Sequence, residues 1–202
     1  MVLDSGSPTE IGRVVLLFLG ICLSLAAPGC RLAQKRGFHV DLMRLEDPQD
    51  FVDDVLVWPV ADSTGGLDDA LCDRLTRKLG QEMIEREYSV LNAELIGKKA
   101  RQYGVGEASA RRVVDELDSD SALVVRVTEW DESGLAHLGR VRVTLGFKLI
   151  GRAGRVLWTG RMIGRDIVID SLAAPRTIKE RRRIAVDRIA RELVGKLPWH
   201  RV

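Results

Sequence analysis

The sequence predicts one α/β domain, a mixed β-sheet with helices packed on it, in the order β-α-β-α-β-β-β-α. The unbroken apolar run at 55–60 is typical of a strand covered on both faces. Apolar residues at every fourth position from Leu67 to Met83 indicate an amphipathic helix. Alternation of apolar and polar residues over 140–149 indicates a strand with one buried face.

The remaining elements follow from the same kinds of pattern. The Gly-, Ser- and Asp-rich segment at 61–66 predicts a loop between the first strand and the first helix. The elements predicted after the first helix are a strand at 88–91, a helix at 107–117, strands at 122–127, 140–149 and 156–160, and a helix at 175–197. Ile178 is expected to face inward on that last helix, and Pro198 is expected to end it.

The composition fits a globular domain and excludes several classes of protein. The chain has 202 residues, of which 46% are hydrophobic and 30% are charged, so one folded domain with an appendage is expected and a disordered chain is not. Three cysteines exclude a disulfide scaffold. A net charge of +2 gives no reason to expect nucleic acid as a partner.

The start of the chain predicts export. The segment 14–30 follows Arg13 and carries no charge, and it is shorter than the roughly 20 residues that a spanning helix needs. Small residues at Ala26, Ala27 and Gly29 are typical of a cleavage site. We therefore predict a signal peptide over residues 1–29.

The end of this segment, Ala27-Pro28-Gly29-Cys30, resembles a bacterial lipobox. The resemblance implies that Cys30 is acylated, and several acyl chains anchor a protein stably in a membrane. Arg31 directly after the cysteine then implies the periplasmic face of the outer membrane. On this interpretation, residues 30–50 form the lipidated cysteine and a tether, and residues 51–202 form a single periplasmic domain. A plain secretory signal and an uncleaved membrane anchor are the alternatives.

The run DVLVWPVADSTGGLDDALCDRLTRKLGQEMIEREYSVLNAELI resembles the opening of a group of bacterial envelope domains. The group includes CsgG and the amino-terminal domain of TolB, and the ABC-transport auxiliary lipoproteins are also similar. The segments SALVVRVTEWDES and GRAGRVLWTG extend the resemblance. It implies a binding or scaffold component of an envelope assembly or export complex. The alternative is an auxiliary subunit of an ABC-type lipid or solute transport system, with a groove beside the sheet for an apolar ligand.

No pattern for catalysis or cofactor binding was found in the sequence. The histidines His39, His137 and His200 do not stand near Cys, Asp or Glu at metal-ligand spacing. No nucleophile elbow, phosphate-binding loop or zinc-protease motif occurs. We therefore expect no enzyme, no metal and no cofactor.

Two sets of residues are candidates for contact with a membrane or a partner. Arg181, Arg182 and Arg183 form the densest charge run, which indicates either a solvated helix face or contact with anionic headgroups or an acidic partner. Trp130 stands beside Arg140 and Arg142 in the predicted sheet. It marks either an exposed binding face or packing beneath a helix.

Self-association is the remaining expectation about partners. Basic residues lie on the 140–149 strand and in the run Arg181–Arg183, whereas acidic residues lie near 82–87 and 115–120 on the two preceding helices. Opposite charges on one molecule suit a head-to-tail homo-oligomer. Surface charge that only keeps a monomer soluble is the alternative.

Overall fold

The structure, a computed structural model, describes residues 37–44, 52–168 and 177–197. In that part of the chain it confirms a mixed α/β fold with seven strands and five helices. The strands are β1 (Gly37–Arg44), β2 (Asp54–Val57), β3 (Ala61–Asp62), β4 (Ser89–Val90), β5 (Ser121–Asp131), β6 (Arg140–Gly151) and β7 (Val156–Val168). The helices are α1 (Asp69–Ile84), α2 (Ala93–Tyr103), α3 (Glu107–Glu116), α4 (Leu135–Leu138) and α5 (Ile178–Lys196).

The sheet has the strand order β1-β7-β6-β5-β2-β4, and β3 pairs with β5. The pairs of β2 with β4 and of β2 and β3 with β5 are parallel. The strands from β5 through β6 and β7 to β1 are antiparallel. Parallel neighbours need long crossovers, and the crossovers here are helical: α1 leads from β2 toward β4, and α2 with α3 leads from β4 to β5.

Hydrophobic cores lie on both faces of the sheet at β2. Val55 and Val57 belong to a large core that includes residues of α1 and α5. Leu56 and Trp58 belong to a second core with residues of α2 and α3. The prediction that this apolar run is covered on both faces is confirmed, because all four side chains are at most 6% exposed.

The segment predicted as a tether contains strand β1. Gly37–Arg44 pairs with β7 along its full length, and Phe38 and Val40 pack against the large core. Gly160 permits this close pairing, because a Cβ there would lie 2.8 Å from the carbonyl oxygen of Asp41. The folded unit therefore begins before residue 51, with the boundary between units after Lys35. Cys30 and the predicted signal peptide lie outside the described residues.

One helix was not predicted, and the start of the last helix is corrected. Helix α2 was not predicted, and Asn92 begins it by accepting hydrogen bonds from the backbone N–H groups of Glu94 and Leu95, at 2.8 and 3.2 Å. The last helix begins at Ile178, after a capping box of Thr177 and Glu180. Ile178, expected to face inward, is 50% exposed. Within the described ranges, no helix is long and apolar enough to cross a membrane.

Candidate functional site

The residues between β5 and β6, 132–139, are called the β5–β6 connection below. The segment contains the four-residue helix α4. Gly139 ends this helix. Its backbone has φ at 58°, in the left-handed region of backbone conformation, where glycine is favoured. The backbone N–H of Arg140 then donates to the carbonyl oxygen of Gly134 at 3.3 Å. The connection is thus a compact turn at one end of the sheet.

Arg181 on α5 fixes this connection to the rest of the domain. Its Nη1 donates to the carbonyl oxygens of Leu135 and Ala136, at 2.9 and 2.7 Å. The last carbonyls of a helix have no partner within it, and a cation there also suits the helix dipole. Arg181 is only 7% exposed, so it does not lie on the solvated surface of α5. These contacts indicate a positioning role for Arg181, and its direct contact with a membrane or partner stays a prediction.

Glu132, on the β5–β6 connection, binds the side chains of Arg182 on α5 and of Trp130 on β5. Arg182 Nε donates to Glu132 Oε2 at 2.7 Å, and a second contact joins Arg182 Nη2 to Glu132 Oε1. The indole Nε1 of Trp130 donates to Glu132 Oε2 at 3.2 Å. The hydrogen bonds from Arg182 and Trp130 lower the pKa of Glu132, with the Arg182 bond having the larger effect. Glu132 is therefore held as a carboxylate bound to both side chains.

Trp130 is partly buried and packs against the large core. Its ring also lies close to the loop before α1, since a Cβ at Gly66 would be 2.8 Å from Trp130 Cδ1. The packing interpretation of Trp130 therefore describes its surroundings better than that of an exposed face.

The other predicted residues flank the same connection. Arg142 is exposed and forms an ion pair with Asp131 at 3.7 Å. Arg140 is half-buried beside Leu138 in a shallow pocket of about 220 Å³. Arg183 is exposed on α5. Trp130 and the five arginines thus gather at one end of the domain, although only part of the set is open to a partner.

A groove of about 580 Å³ lies between the first halves of α1 and α5. We call it the basic groove, and its charged lining residues are Asp68, Arg74, Arg77, Lys179, Arg182 and Arg183. Asp187 holds Arg74 through two hydrogen bonds, at 2.8 and 2.6 Å. Arg77, Lys179 and Arg183 are exposed. Arg74 and Arg77 were not predicted as site residues, although their three-residue spacing on the polar face of α1 was an available signal.

The opposite end of the sheet is rich in carboxylates. The strands β2 and β5 begin there, because Val55 pairs with Ser121 and Ser121 with Gly151. Helices α1 and α3 end there, since α1 leads into β4 and α3 into β5, and both strands run parallel to β2. We call it the acidic end, and its carboxylates are Asp53, Asp54, Glu85, Glu87, Asp115, Glu116, Asp118 and Asp120. Some of them are paired within the domain, such as Asp118 with Arg152 at 2.8 Å and Glu116 with Lys99. The two ends therefore differ in charge.

A second groove, of about 570 Å³, lies between α1 and α2 beside the short edge strand β4. Val57, Val90 and Ile96 line it, and Ile84, which is 59% exposed, lies at its side. We call it the apolar groove. It lies where the alternative transport function expected a groove beside the sheet.

Titratable side chains in the described part of the chain do not form a metal site. No group of three or more His, Cys, Asp or Glu side chains suited to a metal ion occurs there. Cys72 is half-buried, and burial, with the nearby carboxylates, raises the pKa of its thiol to about 11. It is therefore a poor nucleophile at neutral pH.

The comparisons with known proteins gave matches among solved structures alone. No protein-family model matches the chain, and no curated protein matches it. A dodecamer of a PelC point variant from Paraburkholderia phytofirmans has a TM-score of 0.51 at 17% identity, over 78% of this chain and 94% of that one. A second PelC dodecamer from the same organism has a TM-score of 0.47 at 15% identity, over 79% and 99%. The lipoprotein GNA1162 from Neisseria meningitidis has a TM-score of 0.44 at 16% sequence identity, over 71% of this chain and 99% of that one. The first of these shows that this chain and PelC share a fold.

The role of Arg181 gives a prediction about stability. Replacement by methionine, Arg181→Met, keeps most of the volume and leaves two carbonyls without their charged donor. We expect a loss of about 1.5–3 kcal/mol in the free energy of unfolding, measured by urea denaturation.

The matched control is Arg183→Met on the exposed side of the same helix. It is expected to change the free energy of unfolding by no more than about 0.5 kcal/mol. Equal stability of the two variants would contradict the positioning role of Arg181.

Proposed function

We propose that this protein is a non-catalytic outer-membrane lipoprotein that serves as a binding and scaffold component of an envelope assembly or export complex. The observation that carries the proposal is the place of Cys30, seven residues before the first strand of the folded unit. A lipid on that cysteine holds the domain close to the membrane surface. The fold shared with PelC supports the proposal, since the structure of that protein is a large assembly of one chain.

The pairing of charged side chains within the domain also supports a binding role. Glu132 binds Arg182 and Trp130, and Glu107 binds Lys148 at 2.8 Å and Arg111 at 2.5 Å. Arg182 and Lys148 join these carboxylates to α5 and β6, while the pair of Glu107 with Arg111 lies within α3. The open features are grooves and charged ends, which suit contact with other molecules.

Self-association is part of the proposal. The basic groove and the acidic end lie on opposite parts of one molecule, so one copy can meet the next by a heterologous contact. Such contacts close into a ring if the rotation between copies allows it. The alternative function, an auxiliary subunit of an ABC-type lipid or solute transport system, is favoured by one observation, the apolar groove between α1 and α2.

Acylation is tested by metabolic labelling with a palmitate analogue. We expect the wild-type protein to carry the label and the Cys30→Ser variant to lack it, because the thiol of Cys30 is the proposed attachment point. Cys72→Ser is the control and should label like the wild type. An unlabelled wild-type protein that is nevertheless made and exported would contradict the proposal.

Native mass spectrometry of the protein, extracted from envelopes in mild detergent, separates the two functions. The scaffold function predicts masses at multiples of the acylated chain, which diminish in favour of the monomer at high salt, since salt screens the charges. The transport function predicts a monomer with an additional lipid-sized ligand. A bare monomer at low salt would contradict both.

A further inference from the structure

We infer that the end of the domain that carries the β5–β6 connection lies directly against an anionic lipid surface. In this arrangement Leu138 and Ile178 enter the headgroup layer, and the exposed cations of the basic groove face lipid phosphates. The inference rests on the proposed acylation of Cys30, and it adds the orientation of the domain and the residues that touch the membrane.

The start of β1 lies near this end, and the number of residues before it limits the distance to the proposed lipid on Cys30. Gly37, the first residue of β1, pairs with Arg165, while Arg140 at the start of β6 pairs with Val168. The start of β1 therefore lies about three strand residues, or about 10 Å, from the level of Arg140. Seven Cα steps separate Gly37 from Cys30, and they span at most about 25 Å. The acidic end is farther away, since β6 alone has 12 residues and is about 36 Å long.

Two of the five large apolar side chains that are exposed in the described residues lie at this end. Leu138 is 53% exposed and Ile178 is 50% exposed. Leu138 is displayed by α4, and Ile178 begins α5 one turn before Arg181, whose hydrogen bonds join these two helices. The two apolar residues are therefore presented by one fixed unit. Apolar side chains beside cations are typical of surfaces that lie in the membrane interface.

The charges around these residues favour an anionic surface. Lys179 follows Ile178, and Arg183 and Arg77 line the basic groove that Ile178 also lines. Of the nearby carboxylates, Glu132 binds Arg182 and Asp187 binds Arg74. Asp68 accepts from the backbone N–H of Leu71 at 2.8 Å, and the exposed Glu180 accepts from the backbone N–H of Thr177 at 2.8 Å. Basic residues close to an anionic leaflet are attracted to it. The acidic end lies several Debye lengths away at physiological salt, so its repulsion is screened in this orientation.

Spin labels on the mature full-length protein test the orientation. Leu138→Cys and Ile178→Cys are each labelled with a nitroxide in a Cys72→Ser background, and the protein is reconstituted into vesicles of phosphatidylcholine with phosphatidylglycerol. Ile84→Cys is the matched control, an equally exposed isoleucine at the other end of α1. Collision of the label with oxygen, which concentrates in lipid, is compared with collision with a water-soluble nickel complex.

We expect the labels at 138 and 178 to favour oxygen several-fold more than the label at 84. The difference should shrink in phosphatidylcholine alone and when Lys179→Glu and Arg183→Glu are combined. Labels at 138 and 178 that are as accessible to nickel as the label at 84 would overturn the inference.

The mass of the protein in the same preparations shows whether it is acylated, so the orientation and the proposed lipid anchor are tested separately. An acylated protein whose labels at 138 and 178 stay in water overturns the orientation and leaves the anchor standing. An unacylated protein whose labels at these positions still enter lipid overturns the anchor and supports the membrane-facing surface. An unacylated protein with all labels in water overturns both.

Discussion

The burial of one guanidinium group, that of Arg181, organises the end of the domain that carries the candidate site. A buried charge is costly unless hydrogen bonds compensate it. Here the compensation comes from two carbonyls of α4, a helix too short to satisfy them itself. The same contact fixes α5 against the β5–β6 connection, and Arg182 adds a second attachment through Glu132. Leu138, Ile178 and the basic groove keep their mutual positions because of these bonds.

The difference in charge between the two ends follows from the topology. Each helical crossover returns the chain to the end of the sheet where β2 and β5 begin, so the ends of α1 and α3 meet there with their carboxylates. Helix α5 lies beside α1 with its first turns next to those of α1, which brings Lys179 and Arg183 close to Arg77. The topology thereby places the basic groove and the acidic end on opposite parts of the domain.

Much of the fold was predictable from the sequence, because burial on one or both faces imposes a period on strands and helices. Helix α2 was missed because only Ile96 and Ala100 of its residues are buried, and such a narrow apolar stripe gives a weak signal. Strand β1 was missed because its segment was interpreted as a tether, although Phe38 and Val40 alternate with His39 and Asp41, a pattern typical of a strand with one buried face. The sequence did not indicate that Arg181 is buried. Three consecutive helical residues spread over about 200° of the helix surface, so a charge run such as Arg181–Arg183 does not by itself define one solvated face.

Hydrogen exchange of the acylated protein, in anionic vesicles and in detergent, tests the central claim most directly, since it compares every part of the domain at once. The account predicts that the membrane slows exchange in 132–140 and 177–183, while exchange at the acidic end, in 115–121 and 151–155, stays the same. Slower exchange at the acidic end, or no difference between the two ends, would contradict it.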